Sequence, residues 1–386
     1  MRRRPILISI TVFVVTICAA MIVYDQMKTR FRNTLGQVLY WAKDQTDDKV
    51  MLVLSWPNDF TRADDFAAYL MNRDGTLFHT WKFDRNPMHA RLLPNGNLLA
   101  IFMTRPNDRK SNIRGECDEI AEFDWNGNKL WSHEMPMIHH DIFPIDENRI
   151  ATLQSEALPT DAKARFFPDV AGVAYGDSIV VFDKRTKEVT WSWSFTDALF
   201  DLQNRIIEPG YFNVAHMNSV QYVRSTPWSD KPAFVVSLRQ VSTVLVIEEE
   251  SKKILWTSPH DMMHFQHDAQ LLEDGKILVF DYGIRRSGVD SRVLLINPQT
   301  NQIDWQWVDD QKMWASQLMG GAQRLANGNV LITNSMIGQI FEVNKAGQMV
   351  WNFIGKFDLG LPADQQRWWP GMRMYRVNAY PRPAAQ

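Results

Sequence analysis

One short phrase of residues, repeated with variation, constrains this chain more than any other feature. It runs from His267 through Leu278: a histidine, a short apolar strand, the turn Asp274-Gly275 and a second strand. Versions of it begin at His89, His140 and Gly321. A second signal alternates with the first, a polar turn followed by a strand that ends on tryptophan, at Trp81, Trp131, Trp191, Trp256, Trp305 and Trp351. Runs of β-branched and aromatic residues bounded by Gly, Asn and Asp read as short strands joined by hairpins. Six tryptophan units about 45 to 65 residues apart, each with room for four strands, carry the pattern of radial repetition that builds a propeller. The expected fold is all-β, a six-bladed β-propeller over residues 50–386.

The strands of a unit are lettered a to d from the ring axis outward. In the unit of the opening phrase, a is 268–272, b is 277–280, c is 292–296 and d is 302–307, supported by period-2 alternation. Trp81 precedes the first complete unit. Residues 50–56, 66–71 and 76–83 therefore supply b, c and d of a blade that lacks its a. The C-terminal run 372–380 is expected to supply it, closing the ring and removing an exposed edge.

Ahead of the ring lies Met1-Arg2-Arg3-Arg4, followed by a charge-free stretch from Pro5 to Tyr24. A helix of about 20 apolar residues spans a bilayer, and the arginines favour the cytoplasmic side. Residues 1–25 are thus expected to be an uncleaved signal anchor, 26–49 a stalk, and the propeller periplasmic or extracytoplasmic on a single-pass membrane protein. The formal net charge of −2 gives no electrostatic footprint for nucleic acid. Cys18 lies in the apolar segment, so Cys117 has no partner for a disulfide inside the folded domain.

Strand order places the functional face. In an up-and-down blade the start of a, the b–c loop and the d–a connection share one face, while tight a–b and c–d turns share the other. Long connections at 105–116, 155–176, 196–215 and 282–291 fall on the first face, where binding and catalysis concentrate. His140, His216 and His267 head inner strands there. Arg239, Asp281 and Tyr282 end b strands, and Arg292 begins a c strand. His89 is displaced by one position, and Gly320 stands where other blades have histidine. His260 and His264 read as loop residues, and His79 and His133, beside the outer strands, as structural. Phe166, Phe167, Tyr175, Tyr211, Phe212 and Trp314 lie in the long loops and could clamp an aromatic ring.

At His216-Met217-Asn218-Ser219, Ser237-Leu238-Arg239, Gln266-His267-Asp268 and Gly320-Gly321-Ala322-Gln323-Arg324 the chain resembles the bacterial arylsulfotransferase family. The resemblance runs from about residue 51 to the end. It implies a six-bladed propeller acting outside the cytoplasm. It also implies sulfuryl transfer from a small aromatic sulfate donor to a phenolic acceptor through a sulfohistidine, without cofactor or metal. On the matching positions His267 is the nucleophile, His216, Asn218 and Arg239 contact the sulfuryl group and aryl oxygen, and His140 is a further active-site histidine. Tyr282 and Arg292 join the list of substrate-binding candidates by their place on the same face. The separate N-terminal β-domain of well-studied members has no counterpart here, and neither has the insertion ahead of the nucleophile.

The chemistry suits these residues. Sulfuryl transfer, like phosphoryl transfer, is helped by positioning and by cationic and N–H donors, and neutral imidazole is a competent nucleophile near pH 7. Two other readings fit the same histidines: a site for copper, zinc or iron, and a non-catalytic membrane-tethered propeller that binds a partner through its loop-rich face.

Overall fold

The repeat folds into antiparallel sheets arranged as a β-propeller in a computed structural model that describes residues 34–54, 66–110, 115–169, 171–205, 213–285, 288–289, 291–308, 319–355 and 374–383. One sheet runs Met217–Val223, Ala233–Leu238, Thr243–Glu248, Ile254–Thr257, and the next runs His267–Leu271, Ile277–Asp281, Arg292–Asn297, Gln302–Val308. Each strand pairs with its sequence neighbours, as hairpin connections require.

A third sheet pairs the C-terminal strand Asn378–Pro381 with Lys49–Leu54, then Ala67–Met71 and Leu77–Lys82. The last strand thus sits innermost beside the first, as the lone tryptophan unit at Trp81 requires. The seven-stranded sheet from Pro87–Leu92 to Glu188–Ser194 is continuous because the strand Lys129–Pro144 serves two neighbours. Its first part pairs with Glu116–Phe123 and its second with Arg149–Ala157. Met137 and His140 turn the corner between them with φ of 65° and 60°.

The fifth sheet, Gly321–Arg324 to Met349–Gly355, carries an additional outer strand, Gly36–Trp41, paired Gly36 with Gly355 and Trp41 with Trp351. The expected stalk 26–49 is therefore corrected over its described part: residues 36–41 belong to the ring. Their side chains explain why, since Leu35 is buried and Val38 and Trp41 pack against the core around Trp351 and Phe353. The expected anchor, residues 1–25, lies outside the described residues. Among the described residues no helix is long and apolar enough to cross a membrane.

The cores lie between sheets rather than within one. Val235, Val246 and Trp256 of one sheet pack with Ala269, Val279 and Leu294 of the next, and Leu278, Phe280 and Val293 pack in turn with Ala322, Ile332 and Phe341. Middle strands consequently bury both faces: Leu98–Met103, Ala233–Leu238 and Val330–Asn334 are buried at every residue. They read as continuous apolar runs rather than the alternation expected of a half-exposed strand. Outer strands such as Gln302–Val308 are largely exposed.

Two sets of polar contacts stitch sheet to sheet. On the outside, tryptophan indoles donate across the gap: Trp81 to the Asp124 carbonyl, Trp191 to that of Glu249, Trp256 to Asn301 Oδ1, Trp305 to the Lys345 carbonyl and Trp351 to that of Arg73. At these five positions the repeated tryptophan is thus a clamp on the following unit, an apolar body with one donor to place, whereas the Trp131 indole has no such acceptor among the described residues. On the inside, a side chain of one inner strand accepts from a backbone N–H of the next: Asp141 from Val220, Ser219 from Ala269, Asp268 from Ala322 and Gln323 from Ala379. An inner strand has no neighbouring strand on its axial side. Side-chain acceptors satisfy buried donors that would otherwise cost about 1–3 kcal/mol each.

Candidate active site

The heads of the inner strands are kinked. His140, His216 and Asp268 have φ of 60°, 50° and 55°, and pairing shifts register at His139/Ile142, Met217/Ser219 and His267/Gln270. Left-handed backbone at a non-glycine residue costs about 1–3 kcal/mol and recurs where function demands it, and bulges of this kind re-aim a side chain. The rings they re-aim meet: His140 and His216 lie 4.8 Å apart between centroids. His267 stacks at 4.6 Å on Tyr282, whose hydroxyl is 3.2 Å from His267 Nε2. The Arg239 guanidinium lies 5.6 Å from the Tyr282 ring and 4.5 Å from that of Phe265. Five of the seven residues singled out by sequence, His140, His216, Arg239, His267 and Tyr282, thus share one neighbourhood.

Charge states follow from burial. His267 and His140 are held well below the ordinary imidazole range, chiefly by desolvation of the cation. Arg239, His140 and Arg376 add to this at His267, and His216, His139, Arg376 and Arg239 at His140. Both rings are neutral near pH 7. His267 Nδ1 is 3.3 Å from the Phe265 carbonyl, which can only accept, so Nδ1 carries the proton and Nε2 the lone pair. Desolvation also pushes the Tyr282 phenol well above its usual range, so its hydroxyl donates to that lone pair.

Asn218 and Arg292 have other work. Asn218 is fully buried, and its amide donates to the Gln266 carbonyl at 2.8 Å. Gln266 in turn donates to Ser237 Oγ and to the carbonyls of Leu238 and Thr243. Three of the four motifs that carry the resemblance are joined at the residue before His267, so Asn218 fixes the backbone under that histidine. Arg292 spends its guanidinium on Asp281 (2.7 Å), the Met262 carbonyl (2.7 Å) and Gln306 (3.3 Å). Asp281 also accepts from the backbone of His264 and Gly283. Arg292 braces the connection leading to His267. Of the aromatic clamp candidates, Phe167 is core. Tyr175 has its hydroxyl 3.5 Å from the Lys110 carbonyl. The Phe166 side chain, Tyr211, Phe212 and Trp314 lie outside the described residues. His79 stacks on Trp125 and His133 on Phe182, structural as expected.

Gly320 stands where other inner strands have histidine because no side chain fits. A Cβ there would meet the Phe280 ring at 2.6 Å, and one on Gly321 would meet Asp268 Oδ2 at 2.5 Å.

Beneath the histidines lies an ion network that strand reasoning missed. Arg376, from the C-terminal segment, is buried and bonds Asp141 Oδ2 at 3.0 Å, lies 3.3 Å from Asp268 Oδ1, and donates to the Asn218 carbonyl at 3.0 Å. Arg91 Nη2 reaches Asp141 Oδ1 at 3.0 Å, and His89 Nε2 lies 3.3 Å from the same oxygen. Desolvation would raise the Asp141 carboxyl, but Arg376, Arg91 and His89 override it and hold it well below the carboxylate range. At Asp268 desolvation wins over the Arg376 charge and the carboxyl is raised. The signal was present: His140-Asp141 and His267-Asp268 repeat the same pair, and Arg376 is one of two cations, with Arg373, in a run expected to be innermost. Among the described residues no group of three His, Cys, Asp or Glu side chains is placed to hold a metal ion. An open cavity of about 700 Å³ between residues 221–227 and 271–276 contains none of the site residues.

Residues 118–356 match the family described as arylsulfotransferase (ASST). The chain belongs to the arylsulfotransferase family. The matched segment holds His140, His216, Asn218, Arg239, His267, Tyr282 and Arg292, and the membership supports a sulfotransferase-like function. No curated protein matches the sequence. Among solved structures, a protein of unknown function from Bacteroides caccae is similar in fold, with a TM-score of 0.52 at 13% identity over 86% of this chain and 99% of that one. A catalytically inactive virginiamycin B lyase from Staphylococcus aureus with quinupristin reaches a TM-score of 0.40 at 10% identity, over 72% and 71% of the two chains.

Proposed function

We propose that this arylsulfotransferase-family protein moves a sulfuryl group from an aryl sulfate to a phenol through a covalent sulfohistidine at His267. What carries the reading is the state of that residue: a buried neutral imidazole with Nδ1–H held by a carbonyl, its Nε2 lone pair facing Tyr282, and Arg239 alongside. In the first half-reaction Nε2 attacks sulfur, the sulfur–aryloxygen bond breaks and its electron pair leaves with the phenolate. In the second, a phenol loses its proton to a base, its oxygen attacks sulfur, and the sulfur–nitrogen pair returns to Nε2. Arg239 supplies a fixed cation to the sulfuryl oxygens. The Tyr282 hydroxyl, a donor that already marks the nucleophile's line of approach, passes to an oxygen of the bound sulfate. His140 and His216 are the acid–base candidates, a role worth about 10²–10⁴-fold.

Two finer features support the same reading. The outer strand and the inner strand within Lys129–Pro144 count as the end of one blade and the start of the next, which divides the seven-stranded sheet in two and makes six blades. The six repeated tryptophans, five of which clamp the next unit, the last of them returning from Trp351 to Arg73, agree with that count. The arginines before the charge-free run Pro5–Tyr24 support an N-terminal anchor with the propeller outside the cytoplasm.

The test is turnover of 4-nitrophenyl sulfate with phenol as acceptor. His267→Ala is expected to abolish it while circular dichroism and the melting transition stay close to wild type. Undiminished turnover in the variant would remove His267 from the chemistry.

A further inference from the structure

We propose that Asp177 and His139 set the proton on His140 so that its Nε2 is the base for the acceptor phenol, which makes them positioning residues for the second half-reaction. This rests on the reading of His267 as the nucleophile.

The chain of deduction begins at Asp177, which is fully buried. Its Oδ2 accepts the Met217 backbone N–H at 2.8 Å, and its Oδ1 accepts Asn213 Nδ2 at 2.7 Å and lies 3.0 Å from Ser155 Oγ. The Asn213 amide cannot be reversed, because its Oδ1 accepts from the backbone of Ala215 at 3.2 Å and His216 at 2.6 Å. Donors therefore surround a carboxylate, and the ring nitrogen 3.0 Å from Oδ1, His139 Nε2, is a donor too. As the Nε2–H tautomer, His139 has its lone pair on Nδ1. That atom lies 2.9 Å from Nδ1 of His140. Two ring nitrogens at this separation need one hydrogen between them, and only His140 can provide it. His140 is thereby fixed as the Nδ1–H tautomer with a bare Nε2.

The bare nitrogen lies towards Gly115, at the end of the long connection 105–116. A Cβ on Gly115 would lie 3.3 Å from His140 Cε1 and 3.6 Å from Nε2, and the His216 ring is 4.8 Å away between centroids. On transfer the acceptor's O–H bond breaks, its proton joins His140 Nε2, and the new oxygen–sulfur bond forms as the bond to His267 Nε2 breaks. The imidazolium so formed keeps its Nδ1–H on His139, now a charge-assisted bond, while Asp177 stabilises the pair through His139. A buried histidine beside Arg239 and Arg376 needs such support to accept a proton. The proton leaves with the next donor's phenolate, which returns His140 to its starting form.

The experiment uses the full chain and two readouts. In Asp177→Asn the Met217 backbone N–H keeps the amide oxygen at the Oδ2 position, so the N–H₂ faces His139 Nε2 at the expense of the Asn213 bond, which reverses both tautomers and puts a hydrogen on His140 Nε2. With 4-nitrophenyl sulfate, whose leaving group needs no acid, the burst of one equivalent of nitrophenolate is expected to survive. Turnover with phenol is expected to fall about 10²–10⁴-fold, and the loss to shrink with acceptors acidic enough to be ionised at the assay pH. Nitrogen-15 histidine spectra are expected to show His140 protonated on Nδ1 in wild type and on Nε2 in the variant. An equal loss with every acceptor, an unchanged rate with phenol, or a wild-type His140 protonated on Nε2 overturns the proposal. The wild-type spectrum decides the tautomer even where the variant does not fold. Absence of a burst in wild type points instead to failure of the His267 reading, and the catalytic role assigned to Asp177 and His139 falls with it.

Discussion

Replacing Arg376 with methionine keeps most of the stem and removes the charge on which the inner ring converges. The guanidinium serves Asp141, Asp268 and the Asn218 carbonyl from a residue almost wholly buried. Removing one partner of a buried ion pair costs about 3–5 kcal/mol, because the remaining charge stays buried without compensation. Unfolding entropy of about 2.1 cal/mol/K per residue gives, over 386 residues, roughly 0.8 kcal/mol/K, so the melting temperature is expected to drop by about 4–6 °C near neutral pH. The sign of the pH dependence follows from the carboxyls. Asp141, held low in the folded protein, contributes stability that is complete above the unfolded value of about 3.9 and is lost as pH falls through its folded value. Asp268, held high, opposes folding once ionised and is relieved as pH falls. Without Arg376 both folded values rise, so the variant's deficit is largest near pH 7.5 and narrows towards about pH 5, where protonation discharges the orphaned acids. Calorimetry of both proteins across that range is the assay. A deficit under about 1 °C, or one that widens on acidification, would refute the assignment of Arg376 as the shared counter-ion.

Other consequences are open to measurement. Because His267 and His140 are depressed well below the usual imidazole range, the acid limb of kcat/KM for aryl sulfate is expected below pH ~6.5; a limb at or above that value contradicts burial as the cause. Tyr282→Phe removes the donor at His267 Nε2 and is expected to lower kcat/KM about tenfold for phenyl sulfate, with a smaller loss for the nitrophenyl ester. An equal loss for both in steady-state kinetics would limit the hydroxyl to packing. Gly321→Ala drives a methyl into Asp268 and Arg376 and is expected to cost about 1–3 kcal/mol together with activity. A variant that melts like wild type would show the network is free to shift. Arg292→Met is expected to destabilise the connection that holds His267, lowering kcat with little change in KM for the sulfate; a rise in KM alone would restore Arg292 to substrate binding.

The sheet order was legible because turns and tryptophans recur, and each recurrence has a physical cause now visible. Asp274-Gly275 closes a hairpin with Gly275 at φ 77°, and the repeated indole clamps the next unit. The ring closure was legible for a negative reason: Trp81 came without a first strand. The meeting of His140, His216 and His267 followed from their equivalent places at strand heads. What the pattern hid was the direction of polar side chains. Nothing in the spacing says that Asn218 turns down to Gln266 or that Arg292 turns to Asp281, since both depend on which neighbouring carbonyl is left unpaired. Arg376 was hidden because a cation just ahead of an inner strand looks misplaced until the two aspartates that follow histidines are seen to face it. Residues 36–41 were misread because a strand added outside a blade carries its exposed face in the sequence, as Leu39 and Tyr40 do.

The central claim is a covalent intermediate at His267, and the most direct test is mass spectrometry of the full chain after brief exposure to 4-nitrophenyl sulfate without an acceptor. One sulfuryl group is expected, acid-labile, mapped to the peptide containing His267, discharged by added phenol and absent in His267→Ala. Turnover without any protein-bound sulfuryl group, or a group bound at another residue, would contradict the account.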